Sequence, residues 1–335
     1  MQTEHMRDTT VDSEVIEQAL NLACRAPSLH NSQPWRWVLE GNAVQLFEDK
    51  DRVLYATDHS GREALLGCGA VLDHFRVAMA AAGWIVNVDR FPNPNNPLQL
   101  ASVDFTPIEF VTDGHRRRAE AILVRRTDRL PFAEPPGWKQ VEARLESAVS
   151  IEGVRLDVIP DEFRQELAEA SQFSELSRLY DSSYHSELSR WTNPYDTTQG
   201  IPPSALVSAE ESERVGVGRN FPVVSQSERR IGFGEDHSKV AVLSTYNNER
   251  RDVLQCGEML SALLLEATMA GLATCTLTHI TEQYAGRNLL AALIDQATTP
   301  QVLVRVGVAA DVEDLPPLTP RRPLNEVFHV RSNDH

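Results

Sequence analysis

The polar residues best arranged for chemistry stand in one short turn, residues 26–35, whose sequence is APSLHNSQPW. Pro27 ends the amphipathic helix before it, because proline has a fixed φ and no backbone N–H. Ser28, Asn31 and Gln33 then place one hydroxyl and two amides on irregular backbone, ahead of a strand-like segment. Such a turn could hold a polar ring. The alternative is an ordinary connection between a helix and a strand.

A second candidate segment, residues 125–132, has the sequence RRTDRLPF and follows a helical run. Guanidinium groups form bidentate, charge-assisted hydrogen bonds with a phosphate, worth about 1.5 to 3 kcal/mol each. The alternative is a solvated basic face or a nucleic-acid patch, because three more arginines stand at 116–118. We assign those three to the surface, because Thr127 and the closing Pro131 make the later segment more specific.

Composition limits the classes of ligand. The chain has 335 residues and a net charge of −16, and its 41% hydrophobic content can fill a large core. This charge repels nucleic acids and anionic membranes, so an anionic ligand needs a local basic pocket. We expect no metal site, because no cluster has zinc-ligand spacing. The cysteines lack CxxC spacing and are predicted to be buried thiols: Cys24, Cys68, Cys256 and Cys275.

The first ten residues are polar, and we expect no apolar run that approaches the length needed to span a membrane. The sequence therefore predicts a cytoplasmic protein.

Two long apolar helices are predicted, at residues 62–82 and 253–270, and a glycine follows each. Corresponding residues recur at a constant offset of 188, in the pairs Arg62/Arg250, Cys68/Cys256, Gly69/Gly257 and Gly83/Gly271. A strand-like segment after Pro97 also resembles one after Pro300, at an offset of 203. We infer an internal duplication, with two similar halves packed about a pseudo-twofold axis.

Helical segments alternate with β-branched segments along the chain, which predicts an α+β fold with helices covering a mostly antiparallel sheet. We place the first half at residues 1–112 and the second at residues 113–335. The second half contains an insert, residues 190–222, that is rich in Pro, Ser, Gly and Glu. Inserts of this length are usually lids or disordered segments.

The turn resembles the APSxxNxQPW motif of nitroreductase-family flavoproteins, in which Pro, Ser, Asn and Gln contact FMN at a site shared between two subunits. The arginine segment resembles the RRSxRxF opening of the same family, whose arginines hold the FMN phosphate and ribityl chain. Here Pro131 stands where that motif has its Phe. The resemblance implies a nitroreductase-like fold and these FMN-binding residues: Pro27, Ser28, Asn31, Gln33, Arg125, Arg126, Thr127 and Arg129.

In classical nitroreductases both motifs occur in one subunit, and each flavin draws on one motif from each subunit. Here the first half carries the turn and the second half carries the arginine segment, so the resemblance implies one composite pocket and one FMN per chain. Arg305 matches a phosphate-side arginine of the family. The corresponding residue of the first half, counted from Pro97, is Ser102. Thr276 and Leu277 fall in a segment whose backbone N–H groups approach the flavin in the family.

The divided motifs and the insert look most like the Acg-type branch, in which two such halves are fused and a lid folds over the flavin. This resemblance implies an NAD(P)H-dependent FMN oxidoreductase that passes hydride to a nitroaromatic or quinone-like acceptor, with no catalytic side chain required. One alternative is an FMN storage or sequestering protein whose closed lid prevents turnover. Another is an apoprotein with a structural role. The expected partners are FMN and NAD(P)H, and the chain is a monomer or a homodimer.

Overall fold

The computed structural model describes residues 10–193, 195, 199–222, 234–294, 297–309 and 318–331. Its helices are α1 (Ser13–Ala23), α2 (Arg62–Ala81), α3 (Asp113–Val124), α4 (Trp138–Ala148), α5 (Arg164–Ser177), α6 (Ser182–Trp191), α7 (Ala209–Glu213), α8 (Arg250–Met269), α9 (Tyr284–Leu293) and α10 (Leu324–Val327). Its strands are β1 (Trp35–Glu40), β2 (Ala43–Glu48), β3 (Trp84–Arg90), β4 (Gln99–Pro107), β5 (Val154–Ile159), β6 (Lys239–Thr245), β7 (Ala273–Leu277), β8 (Thr299–Gly307) and β9 (Phe328–Arg331).

The strands form two sheets that share one strand order. The first sheet runs β3-β4-β2-β1-β9, and the second, written in the matching direction, runs β7-β8-β6-β5. The pairings among these strands are antiparallel except that of β9 with β1. The predicted α+β fold with two similar halves is confirmed, whereas the fusion event itself remains an inference.

Helices α2 and α8 cross at the centre of the core. Their first residues are 188 positions apart in sequence and so are their last residues, as the sequence predicts. A Cβ atom on Gly69 would lie 2.0 Å from the carbonyl oxygen of Leu254, and one on Gly257 would lie 2.2 Å from that of Leu66. Each glycine therefore contacts the residue three positions before the other glycine. Glycine is required at both points because the two backbones touch.

Strands β4 and β8 can be aligned through a bulge that both sheets share. In both sheets the register shifts at the same point of the pairing. Ala101 of β4, paired with β2, and Val302 of β8, paired with β6, are the residues directly beside that shift. This alignment makes Asp104 the counterpart of Arg305. The expectation of Ser102 is wrong by two residues, because the prolines used for counting do not occupy equivalent positions in the two strands.

The chain returns to its first sheet at its C-terminal end. Strand β9 pairs in parallel with β1, with Phe328 opposite Trp37. Residues 318–331 therefore pack on the half that holds the turn, although they follow the second half in sequence. The predicted boundary at residue 112 stays a prediction.

Among the described helices, α2 is long and apolar enough in composition to resemble a membrane span, but 83% of its apolar stretch is buried inside the fold. The expectation that no apolar run reaches such a length is wrong for α2, because a helix enclosed on most sides needs apolar residues around most of its circumference. All four cysteines are buried and free of disulfide bonds, as predicted.

Candidate functional site

A cavity opens between the two halves, and its volume, counted to the open mouth, is about 940 Å³. Its walls come from the turn after α1, the first turns of α2, the segment after α3, strands β7 and β8, and the insert. Seven of the eleven predicted site residues line it: Pro27, Ser28, Thr127, Arg129, Thr276, Leu277 and Arg305. The structure thus brings the turn of one half and the arginine segment of the other to one cavity.

The turn holds an unusual backbone conformation. His30, Asn31 and Gln33 have φ values of 47°, 61° and 52°, in the left-handed region that costs a non-glycine residue of order 1 kcal/mol or more. Ser28 helps to hold this shape, since its Oγ accepts a hydrogen bond of 2.9 Å from the backbone N–H of Gln33. Gly67 of α2 makes room for the turn, because a Cβ there would lie 3.2 Å from Ser28 Cβ.

Asn31 and Gln33 do not line the cavity. The Asn31 side-chain amide donates to the carbonyl oxygens of Gly200 at 3.1 Å and Pro320 at 2.9 Å. The Gln33 amide oxygen accepts from the backbone N–H of Arg322 at 2.9 Å. These two amides tie the insert and the C-terminal segment to the turn, so they act on the site through its shape. Their predicted contact with a flavin stays a prediction.

Arg305 lines the cavity with its charge already paired. Its guanidinium contacts both carboxylate oxygens of Asp236, the shorter contact being 2.7 Å, and both side chains are 1% exposed. Sequence analysis missed Asp236, because nothing near it in sequence marks it as the partner of an arginine 69 residues away.

Arg129 is the second arginine on the cavity wall. It donates to the carbonyl oxygen of Ala205 at 3.1 Å and lies 5.0 Å from the centre of the Phe221 ring. Burial lowers the pKa of Arg129 from its usual value. Among the described residues no carboxylate forms an ion pair with it, so its charge is available to the cavity.

Arg125 and Arg126 do not line the cavity but belong to a cluster beside it, the arginine cluster, formed by Arg25, Arg125, Arg126 and Arg321. Arg125 and Arg321 both donate to the carbonyl oxygen of Arg25, at 3.3 and 2.9 Å. Arg25 and Arg126 repel each other electrostatically. Sequence analysis missed Arg25 and Arg321, although Arg25 stands directly before the turn.

The arginine cluster has the properties of an anion site. Burial, followed by repulsion between the arginines, lowers the pKa of Arg125 to about 10 and that of Arg321 to about 9. The buried Nε atoms of Arg25 and Arg125 have no hydrogen-bond partner among the described residues. No described carboxylate forms an ion pair with Arg125 or Arg321. An anion would relieve the repulsion and satisfy these donors.

Three buried polar atoms on the cavity residues lack a partner in the described part of the chain: His30 Nε2, Thr276 Oγ1 and His279 Nδ1. Burial, then nearby arginines, holds the pKa of both histidines well below the usual value, so both rings are neutral. Since buried polar groups are normally hydrogen-bonded, each of these atoms needs a partner that the described residues do not supply. The described residues contain no group of three metal-ligating side chains.

The insert closes one side of the cavity through Val207, Ser212, Val215, Gly218 and Phe221. It is fixed by Arg219, which forms a buried ion pair with Glu282 and donates to the Tyr184 hydroxyl at 2.9 Å. A second tie joins His279 Nε2 to Ser171 Oγ at 2.7 Å, and that hydroxyl also contacts Gly218 in the insert. Residues 194 and 196–198 of the predicted lid lie outside the described residues.

No family model matches the sequence. A protein of Mycobacterium tuberculosis with the provisional name NAD(P)H nitroreductase acg is 68% identical over 330 residues, which cover 98% of this chain and 100% of the relative. An uncharacterized protein of the same organism is 52% identical over 95% of this chain and 93% of its own length. A further M. tuberculosis protein, also provisionally named an NAD(P)H nitroreductase, is 35% identical over 94% of this chain and 91% of its own length.

Among solved structures, the FMN-dependent nitroreductase NfnB from Mycobacterium smegmatis in complex with NADPH aligns with a TM-score of 0.39 and 18% identity, covering 64% of this chain and 97% of that one. A nitroreductase with bound FMN from Bacteroides fragilis aligns with a TM-score of 0.38 and 13% identity, covering 60% and 92%.

Proposed function

Since the chain belongs to the nitroreductase family, we propose that it binds one FMN per chain, non-covalently, in the cavity between its two halves. The observation that carries this proposal is the meeting of Ser28 from the first half with Thr127 and Arg129 from the second half at one cavity. Neither half supplies both groups, so one chain furnishes one complete site.

The cavity residues fit an isoalloxazine ring. The unpartnered His30 Nε2, Thr276 Oγ1 and His279 Nδ1 could bond the nitrogen and carbonyl groups of such a ring. Pro27, Ser28 and Leu277 supply the surrounding wall. Arg129 would supply a positive charge to a flavin bound in the cavity, and the low polarity around it would strengthen that effect.

The arginine cluster fits the phosphate. Thr127 lines the cavity directly after Arg125 and Arg126, and Pro27 lines it two residues after Arg25. The cluster therefore lies at the edge of the cavity, within about 8 Å of chain from its wall. We assign the phosphate to Arg125, Arg126 and Arg321. Arg305 is assigned to the cavity wall and not to the phosphate, because Asp236 already neutralises its charge.

FMN, when bound, supplies hydride transfer from a reduced nicotinamide to a nitroaromatic or quinone-like acceptor. The chain's own residues bind it, orient it and exclude water. Phe221, which lies edge-on to His30 at 5.8 Å, shields the cavity from the side of the insert. No nucleic acid or membrane is expected to bind, and the oligomeric state, monomer or homodimer, is left open.

The second candidate function is storage of FMN without turnover. The observation that favours it is the buried Arg219–Glu282 pair, which fixes the insert over one side of the cavity and would hinder access of a second substrate.

Anaerobic mixing with NADH or NADPH separates the two functions. Rapid bleaching of the flavin absorbance supports the reductase, whereas bleaching only by dithionite or light supports storage.

A further inference from the structure

Glu63 is a buried acid on the cavity wall that has no role in the binding described so far. It is the second residue of α2, is 3% exposed and lines the cavity. One helical turn later Gly67 faces Ser28, so Glu63 stands on the same wall as the turn. A carboxyl in this position would touch a molecule bound in the cavity.

Two charged groups are packed against Glu63. The Asp58 carboxyl, 2% exposed, lies near enough to raise the pKa of Glu63, and it accepts from the backbone N–H of Ala64 at 2.9 Å. Arg62 forms an ion pair with Glu63 and is fixed by the backbone and side-chain oxygens of Gln301, at 2.6 and 2.9 Å.

A third charged group lies farther away. Arg287, half-buried on α9, attracts the charge of Glu63 electrostatically at longer range.

The group formed by Asp58, Glu63 and Arg62 is electrically neutral when one of its two carboxyls keeps a proton. Asp58 and Glu63 would carry two negative charges when fully ionised, and Arg62 supplies one positive charge. Two neighbouring buried carboxyls also disfavour each other's ionisation, which favours a proton on one of them. Asp58 Oδ1 is buried and has no donor among the described residues, which fits an O–H group donated by Glu63. Burial raises the pKa of Glu63 to about 8 even beside Arg62.

We propose that Glu63 is a catalytic proton donor to the acceptor that is reduced in this cavity. The inference rests on the proposed FMN function. For a quinone, bound FMN in its reduced form would supply both electrons as hydride. The O–H bond of Glu63 breaks, its proton forms the new O–H bond of the product, and the Glu63 carboxylate remains. A proton from solvent then restores the Glu63 carboxyl, so atoms and charge balance.

The test uses the FMN-loaded protein reduced anaerobically with light, which removes any need for a nicotinamide, and then mixed with benzoquinone. Glu63→Gln is the informative variant, because its amide can still accept from Arg62 and donate to Asp58. We expect flavin reoxidation to slow about 100-fold in Glu63→Gln and to lose the solvent deuterium isotope effect of the wild type. The exposed control Glu17→Gln should match the wild type.

Infrared spectroscopy gives a readout that does not depend on turnover. Wild-type protein at neutral pH should show the C=O band of a protonated carboxyl that is absent from Glu63→Gln. If the band is missing, or if Glu63→Gln reoxidises at the wild-type rate, the role of Glu63 is overturned while FMN binding stands. If the wild-type flavin is not reoxidised by the quinone at all, the reductase function is overturned together with this inference.

Discussion

At the scale of single residues, the arginines of the site differ in what neutralises them. Arg305 is matched by Asp236, whereas Arg125 and Arg321 share a carbonyl oxygen and repel each other. A guanidinium that is already paired gains little from a phosphate. An unneutralised, buried one gains a charge-assisted bond and loses a repulsion.

We therefore predict that Arg125→Ala raises the dissociation constant of FMN by roughly 10- to 100-fold, which corresponds to about 1.5 to 3 kcal/mol. The affinity for riboflavin, which lacks the phosphate, should be nearly unchanged. Fluorescence titration of the apoprotein with both flavins measures the difference. Arg117→Ala, on an exposed part of α3, is the matched control and should change neither affinity. An equal loss for both flavins would contradict the phosphate assignment.

The buried thiols give a prediction that depends on pH. Burial raises the pKa of Cys24 to about 11 and that of Cys256 to about 12. The thiolate is the reactive form, and a thiol with a pKa of 11 is only about 1% ionised at pH 9. In native protein at pH 9 we expect alkylation at these two positions to be at least 100-fold slower than in urea-unfolded protein, as measured by mass spectrometry. Comparable rates would mean that the cysteines are exposed.

At the scale of elements, the crossing of α2 and α8 depends on two glycines. A Cβ at Gly69 would lie 2.0 Å from a backbone oxygen that no side-chain movement can displace. We predict that Gly69→Ala lowers the free energy of unfolding by about 2 to 4 kcal/mol. Urea unfolding should show this loss. Gly114→Ala in α3, where the nearest atom would be 3.5 Å away, should be neutral or slightly stabilising.

The insert is the second element with a testable role. Removing the charge of Arg219 leaves Glu282 with one fewer partner and frees residues 218–222 to move away from the cavity. We predict that Arg219→Ala increases the dissociation rate of FMN at least tenfold. Under the storage function, it should also allow NADPH to bleach the flavin. The exposed Arg190→Ala on α6 serves as the control. An unchanged dissociation rate would show that Arg219 does not fix the insert.

The sequence predicted those elements whose pattern is local. The ends of α1, α2 and α8 follow from Pro27, Gly83 and Gly271, and the shared offset follows from residues within the helices. The partners of the site residues could not be predicted in the same way. Asn31 bonds Pro320 across 289 residues, and such a contact depends on how the C-terminal segment returns to the first sheet.

The same limit applies to Glu63, which the sequence analysis did not single out. Its helical spacing suggests only an ordinary first-turn acid, and its position on the cavity wall depends on how α2 packs against the turn.

At the scale of the whole molecule, two halves of the same strand order carry different side chains at equivalent positions. Asp104 occupies the position in the first sheet that Arg305 occupies in the second, so an anion would be repelled at the equivalent place. The first half carries the turn and Arg25, and the second half carries Arg125, Arg126 and Arg321. This division is the reason that the proposed FMN site is single.

The measurement that tests this account most directly is the ratio of FMN to chain in purified protein saturated with FMN and freed of unbound flavin. Absorbance of the released flavin and amino-acid analysis of the protein supply the two quantities. A ratio near one is predicted for the wild type. A ratio near two would mean that both halves hold a site, and a ratio near zero would mean that the cavity does not bind FMN. Either result would contradict the account.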